Sequence, residues 1–404
     1  MPVDRADLVV VGGGTVGGWA SIFARESGAG RVIVLEAGTV GSGASSRAAG
    51  IVRAQGGTPA TVALGRWSIE FYRSQAARYG IDSGFRELGY VILAVSEADE
   101  RTTRERIVMQ RANGLDVRWV DVAEATRLTP ILGGAGFLGG SYIETDGCID
   151  PPRNVLAYTV AMRAAGVELR ERTAFEGLQT SRAGRGRRVT VVETSGGPIE
   201  AERLILTGGP ALRAVGRLAG VSIPAGGTRH TVCVSEPHPA FRVERMAMVF
   251  DISAGLYFRL EDDGLLFGYS NPDEPPGPAR DIDWAFHARM RDRLAELAPM
   301  TRDLGLRKLW AATIDFTPDH FPIVGPALAA GGGSIDGVTV ASPGGHGMMW
   351  GPAVARVAAD LALTGRTDVV DVTDLGLDRF DAEGHSRLAP DPIALPFPPA
   401  ASGE

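Results

Sequence analysis

Gly12-Gly13-Gly14-Thr15-Val16-Gly17 places a G-x-G-x-x-G spacing after an apolar, β-branched run at Leu8–Val11 and at the mouth of a helical stretch, Val16–Glu26. Each glycine then has a task. Gly12 makes the tight turn, Gly14 lets backbone N–H groups approach a pyrophosphate, and Gly17 lets the helix pack on the strand. The first helical residues, Thr15 and Val16, bring a positive helix end to that anion. A second strand over Arg31–Leu35 ends at Glu36, about 20 residues further on, where a carboxylate accepts hydrogen bonds from ribose hydroxyls and repels a 2′-phosphate. Strand, helix, strand and acid together predict a dinucleotide-binding βαβ unit. A second run of small residues follows, Gly41-Ser-Gly-Ala-Ser-Ser-Arg-Ala-Ala-Gly50, and the backbone at Gly43, Ala44, Ser45 and Ser46 offers a longer dinucleotide a second cradle. That points to FAD rather than NAD.

Two further groups carry chemistry. Gly344-Gly345-His346-Gly347, followed by Met348, leads into a helix with Pro352 near its first turn and Gly365 just past its end. A helix N-terminus aimed at a flavin favours the negative charge that the ring gains on reduction, by about 1 kcal/mol. Tyr257 and Arg259 stand two apart in a strand-like stretch, so both side chains leave the same face of a sheet. A phenol beside a bidentate guanidinium suits a carboxylate.

With these motifs the sequence resembles the D-amino acid oxidase, sarcosine oxidase and glycine oxidase family, especially members similar to the sarcosine oxidase β subunit. The resemblance is carried by the N-terminal fingerprint with Glu36, the small-residue segment running into Gly50-Ile-Val-Arg53, and Leu204-Ile-Leu-Thr-Gly-Gly209. Gly255-Leu-Tyr-Phe-Arg259, Thr317-Pro-Asp-His-Phe-Pro-Ile-Val-Gly325 and Pro343-Gly-Gly-His-Gly347 complete it. It implies bound FAD, with Thr207, Gly208, Gly209, Ala37 and Ala174 added to the cofactor set. It makes Arg53 a rival to Arg259 for the substrate carboxylate and places His230 on a strand bordering the pocket. It also exposes departures. Ala312 stands where some members carry a flavin-tethering cysteine, and Ser45, Ser46 and Arg47 supply no tethering histidine, so non-covalent FAD is expected. Met349 stands where oxygen-using members carry a lysine, which points to an acceptor other than oxygen.

The elements that must position these groups follow from size and patterning. At 404 residues the chain exceeds the roughly 250–300 residues at which one core stops growing. The expected fold is an α/β (α+β) two-domain flavoprotein: a Rossmann-type FAD-binding domain built discontinuously from 1–85, 145–220 and 305–404, and an inserted, mainly antiparallel substrate domain from 86–144 and 221–304. The middle reads as strand-rich, with helices at about 59–79 and 282–297. The proline-rich stretch 382–404 reads as a tail draped on the surface. The balance of 41 basic and 48 acidic residues, net charge -7, argues against a nucleic-acid partner. Cys148 and Cys233 have no metal-ligand spacing, so no metal is expected and a reducing, cytoplasmic setting fits. No secretory leader or membrane span is read.

The expected reaction is oxidation of the C–N bond of an amino acid (secondary, N-alkyl, cyclic or D) by hydride transfer to flavin N5, giving an imine that water hydrolyses. No protein acid or base is obligatory, because the cofactor supplies the chemistry. Two alternatives stand beside it: oxidation of a hydroxy acid held by the same clamp, and a non-autonomous flavin subunit of a larger amine dehydrogenase complex. An oligomer is possible on either.

Overall fold

The computed structural model describes residues 4–183, 186–329 and 333–397. The fully buried strand Leu8–Val11 lies between Val32–Leu35 and Leu204–Leu206, all parallel, with Glu168–Arg170 and Ser334–Ser342 extending the parallel core on either side. Such strands are apolar throughout because helices cover both faces. Thr15–Glu26 covers one face and packs on Gly351–Thr364. The two meet around Trp19, Phe23 and the small residues of the second helix, in a core shared with Phe71, Tyr72 and Tyr158.

The second sheet has eight strands and is antiparallel except where Met248–Asp251 runs parallel to Tyr90–Ala94. It draws on residues 90–143, 226–269 and 306–316. One boundary is corrected. Leu306–Phe316 pairs along its length with Gly226–Ser235, so it belongs to the substrate sheet and not to the segment beginning at 305. The cause is its register, which continues the sheet edge before the chain crosses back at Thr317.

The helix Pro59–Tyr79 begins on a Thr58 capping box with Pro59 in its first turn and ends on left-handed Gly80. Trp284–Leu297 matches the second expected helix. The strand-rich middle also contains the helices Glu97–Ala112 and Pro151–Ala164. The tail is corrected as well: Asp391, Ile393, Ala394 and Phe397 are buried, so this stretch packs inward as part of the core. Ile393 sits in a turn closed by the Ala394 N–H to the Asp391 carbonyl at 3.3 Å, and Leu395 and Phe397 follow it into the core. Residues 398–404 of that tail lie outside the described residues. Among the described residues no helix is long and apolar enough to cross a membrane, and no cluster of three or more metal-ligating side chains occurs.

Candidate active site

A cavity of about 1040 Å³ runs between the two sheets, from Glu36 at one end to Arg53, Tyr257 and His346 at the other. That is the upper end of the usual range for small-molecule sites. At its nucleotide end Gly12 adopts φ +97°, a turn that only glycine takes without strain, and a side chain on Gly17 would collide with the Gly12 carbonyl. Glu36 is oriented by two backbone N–H groups, from Gly13 at 2.9 Å and Gly38 at 2.8 Å. The helix Thr15–Glu26 has no side-chain N-cap of its own; the Thr15 N–H instead donates to Ser45 Oγ at 3.0 Å, which ties the two small-residue segments together. Lining glycines 43, 209 and 277 face open space: a Cβ on any of them would meet nothing within 4 Å. Backbone is thus held back from a volume that an extended dinucleotide fills.

The isoalloxazine end is built by the loop at Gly344–Gly347. Trp350 N–H donates to the His346 carbonyl at 2.8 Å, extending the Gly351–Thr364 helix back to that loop, and left-handed Gly365 closes the helix. Tyr72 Oη donates to the Met348 carbonyl at 2.8 Å, so the Pro59–Tyr79 helix fixes the loop from below. From the other sheet Trp310 Nε1 donates to Arg47 O at 2.9 Å. These residues fit FAD: a fingerprint for the pyrophosphate, a carboxylate for the ribose and a positive helix end for the ring.

Most of the expected site residues line this cavity: Gly12, Gly14, Thr15, Val16, Gly17, Glu36, Ala37, Gly43, Ala44, Ser45, Ala174, Thr207, Gly208 and Gly209. At the ring end Gly345, His346, Gly347, Met348 and Met349 join them, with Arg53, His230 and Tyr257. Three do not. Ser46 turns its hydroxyl to Gly41 O, Gly344 sits against Phe321 O, and Arg259 is spent elsewhere. Arg259 leaves the same sheet face as Tyr257, but its guanidinium donates twice to Ala49 O, at 3.0 and 2.7 Å, and pairs with Glu261 at 2.5 Å.

Arg53 is different. It is buried and reaches the cavity, yet its hydrogen bonds run only to the carbonyls of Gln55 and Ile393, both at 2.6 Å, and no carboxylate among the described residues lies within 4.0 Å. Behind it lies a polar network that sequence reasoning missed. Asp146 accepts from Ala54 N–H at 2.7 Å and Gln55 Nε2 at 3.3 Å, and Ser141 donates to Gln55 Oε1 at 2.7 Å. Burial pushes the Asp146 carboxyl up to about 6 against those hydrogen bonds and the Arg53 charge. Tyr90, Phe250, Ile393 and Leu395 also line the cavity and were missed, since single apolar residues in strands or a tail carry no motif.

His230 and Tyr257 stand together: His230 Nε2 is 2.5 Å from Tyr257 Oη and Nδ1 is 2.8 Å from Ser270 Oγ. Burial lowers His230 to about 4, so the imidazole is neutral at pH 7, and burial holds the Tyr257 phenol protonated. His346 is lowered to about 3, by burial first and the Arg53 charge second.

The profile of the FAD dependent oxidoreductase family matches residues 7–361. The chain belongs to this family. It is 25% identical over 392 residues to 4-methylaminobutanoate oxidase (formaldehyde-forming) of Paenarthrobacter nicotinovorans, covering 94% of this chain and 46% of that protein. To glycine oxidase of Geobacillus kaustophilus it is 30% identical over 226 residues, 54% of this chain and 58% of that one. The chain thus spans about half the length, or less, of the first curated relatives it matches. Among solved structures, that glycine oxidase superposes with TM-score 0.79 at 26% identity, covering 94% of this chain and 100% of the other. L-proline dehydrogenase from P. horikoshii superposes with TM-score 0.82 at 24% identity, covering 91% and 96%, and shares the fold.

The family's FAD should be held without a covalent bond, since buried Cys148 and Cys233 do not line the cavity and neither does Ala312. Precipitating the yellow protein with acid should release all of its flavin to the supernatant; colour that stays with the washed pellet would show a tether.

Proposed function

We propose that this flavoprotein oxidises the C–N bond of an amino acid, with Arg53 as the carboxylate clamp. The observation that carries this reading is a buried guanidinium, open to the ring end of the cavity and hydrogen-bonded only to neutral carbonyls. An arginine so placed offers a planar fork to an incoming carboxylate, at low dielectric where the attraction is strong. Tyr257, braced by neutral His230 and Ser270, presents its hydroxyl from the facing sheet. FAD, when bound, accepts the hydride. The chain's residues hold the carboxylate, orient the carbon that loses hydride and keep water out, while the amine must arrive as the free base because its lone pair forms the C=N bond. Water then hydrolyses the imine. Relatives named for 4-methylaminobutanoate, sarcosine and dimethylglycine favour an N-alkyl amino acid, and a cyclic or D-amino acid fits the same clamp. The two unpaired cysteines support a reducing, cytoplasmic setting.

Anaerobic mixing with amino acids and with hydroxy acids should bleach the flavin with the former alone. Replacing Arg53 by Ala should weaken binding of the productive substrate by about 2–5 kcal/mol with flavin content retained. Arg259→Ala should instead loosen FAD, through the Ala49 carbonyl it holds. Equal substrate saturation in wild type and Arg53→Ala would remove Arg53 from the role.

We also propose an electron acceptor other than oxygen. Met349 lines the cavity, and the chain's single lysine, Lys308, lies on the exposed part of its strand. The first electron passed to oxygen makes superoxide, which a flavin-facing cation would stabilise as it forms; Met349 offers none, and in the clamp reading the Arg53 charge at the ring end is taken by the substrate carboxylate. Air should therefore reoxidise the reduced enzyme more slowly than an artificial dye does. Met349→Lys should speed the reaction with air by at least about tenfold. Wild-type reoxidation by air at the rate of turnover, with stoichiometric peroxide, would make the protein an oxidase.

A further inference from the structure

We infer that residues 391–397 are a built wall of the substrate cavity, selecting an amino acid whose part beyond the carboxylate and amine is uncharged and apolar. The inference rests on the clamp reading of Arg53 for what it says about substrate.

The segment is fitted into the fold at three glycines from three separate elements. A side chain on Gly57 would collide with Asp391 and with Pro392 Cδ, at 2.7 Å; one on Gly255 would meet Pro396 Cδ at 2.5 Å; one on Gly345 would meet Phe397 Cζ at 2.7 Å. Gly57 precedes the Pro59–Tyr79 helix, Gly255 turns between two strands of the substrate sheet, and Gly345 is in the flavin loop. Removing the Cβ at each contact lets one stretch of chain cross the cavity from the clamp to the ring. Its backbone is tied as well. Arg53 donates to Ile393 O at 2.6 Å, Asp391 N–H to Asp319 O at 3.0 Å, and Ile393 N–H to Asp391 Oδ1 at 2.9 Å.

The side chains that this crossing delivers to the cavity are Ile393 and Leu395. Ile393 packs with Tyr90, Phe250 and Tyr257, and Leu395 joins that group to Ile314 and Phe316. Since Arg53 is bonded to Ile393 O, a carboxylate on the clamp brings the rest of its molecule against this apolar group. Nothing on this wall compensates a second charge. The acidic residues lining the cavity are Glu36, at the nucleotide end, and Asp315, whose carboxylate accepts from Ser342 Oγ at 2.6 Å. Both ring nitrogens of His230 are engaged. The other arginine lining the cavity, Arg280, is exposed and lies off this wall, on the 277–280 segment, so against Ile393 and Leu395 a polar or charged substituent would lose its water without gaining a partner.

The test is a spectral titration of oxidised FAD-loaded protein with acetate, butyrate, benzoate and succinate, reading the flavin band. Each added methylene should tighten binding about threefold, and succinate should bind more weakly than butyrate. Ile393→Ala and, separately, Leu395→Ala should lower the ratio of benzoate to acetate affinity about tenfold. If Ile393→Ala loses its flavin, the milder Ile393→Val carries the same comparison, with a ratio about threefold lower. Ratios equal to wild type in both positions, or succinate binding as tightly as butyrate, overturn the wall. Acetate binding that is the same in Arg53→Ala as in wild type overturns the clamp alone, because the ratio still reads the wall.

Discussion

A guanidinium that is only 3% exposed is costly to keep, because the water it gives up is worth several kcal/mol and must be replaced. Arg53 receives dipoles in exchange, from the carbonyls of Gln55 and Ile393, and two carboxyl groups at longer range. Burial pushes Asp146 and Asp391 up while the Arg53 charge pulls both down. The cation is thereby tolerated without a direct ion pair, and its attraction stays available to an anion arriving from the cavity. Much of the surrounding structure serves that balance. Gln55 is held by Ser141, Asp146 and Tyr90, and residues 391–397 are tied to the guanidinium itself.

The clamp is placed by its distance along the chain from the cofactor backbone. Arg53 follows Gly50 through the short strand Ile51–Val52, which pairs with Gly147–Cys148, so a few extended residues set the span between the second cradle and the guanidinium. Arg259 works on the same stretch from the opposite sheet. It takes the Ala49 carbonyl with two N–H groups and is neutralised by Glu261, so its charge is used to lock backbone. Two buried arginines meet one segment with opposite bookkeeping: one paired and structural, the other unpaired and facing the cavity.

The nucleotide half was legible because its chemistry is local. A strand, a glycine turn, a helix and a terminal acid fall within about 30 residues of one another, and each leaves a compositional mark. The helix Glu97–Ala112 left none. Most of its face is charged, and only Thr103, Arg106, Ile107 and Gln110 are buried, so the 3.6-residue period is carried by one aliphatic residue among polar ones. The Ser96 capping box with Asp99 was the available signal. Asp146 and Ser141 take their importance from partners about 90 residues away. Burial of 391–397 was hidden by its prolines, which mark a segment without regular hydrogen bonding whether it lies on the surface or inside. Tyr257 and Arg259 were rightly read as sharing a face, but which of them reaches a cavity depends on what packs beyond the sheet, here Ala49.

The electrostatics of the substrate end follow from the same burial. His230 at about 4 and His346 at about 3 are neutral through the physiological range, and the Tyr257 phenol stays protonated. Positive potential there comes from Arg53 and from the backbone of a helix end, and neither source titrates near neutrality. Neutral His230, engaged at both nitrogens, fixes the Tyr257 hydroxyl without offering a free base. His230, His346 and Tyr257 therefore orient and desolvate but do not exchange protons between about pH 5 and 8, whereas Asp146 behind the clamp, pushed up to about 6, titrates inside that window. An amine bound among them exchanges no proton with His230, His346 or Tyr257. Its own proton is then the ionisation at the reacting centre that governs whether hydride can leave, and the field of Arg53 favours the neutral form, while Asp315, the acid beside Gly345, is engaged by Ser342.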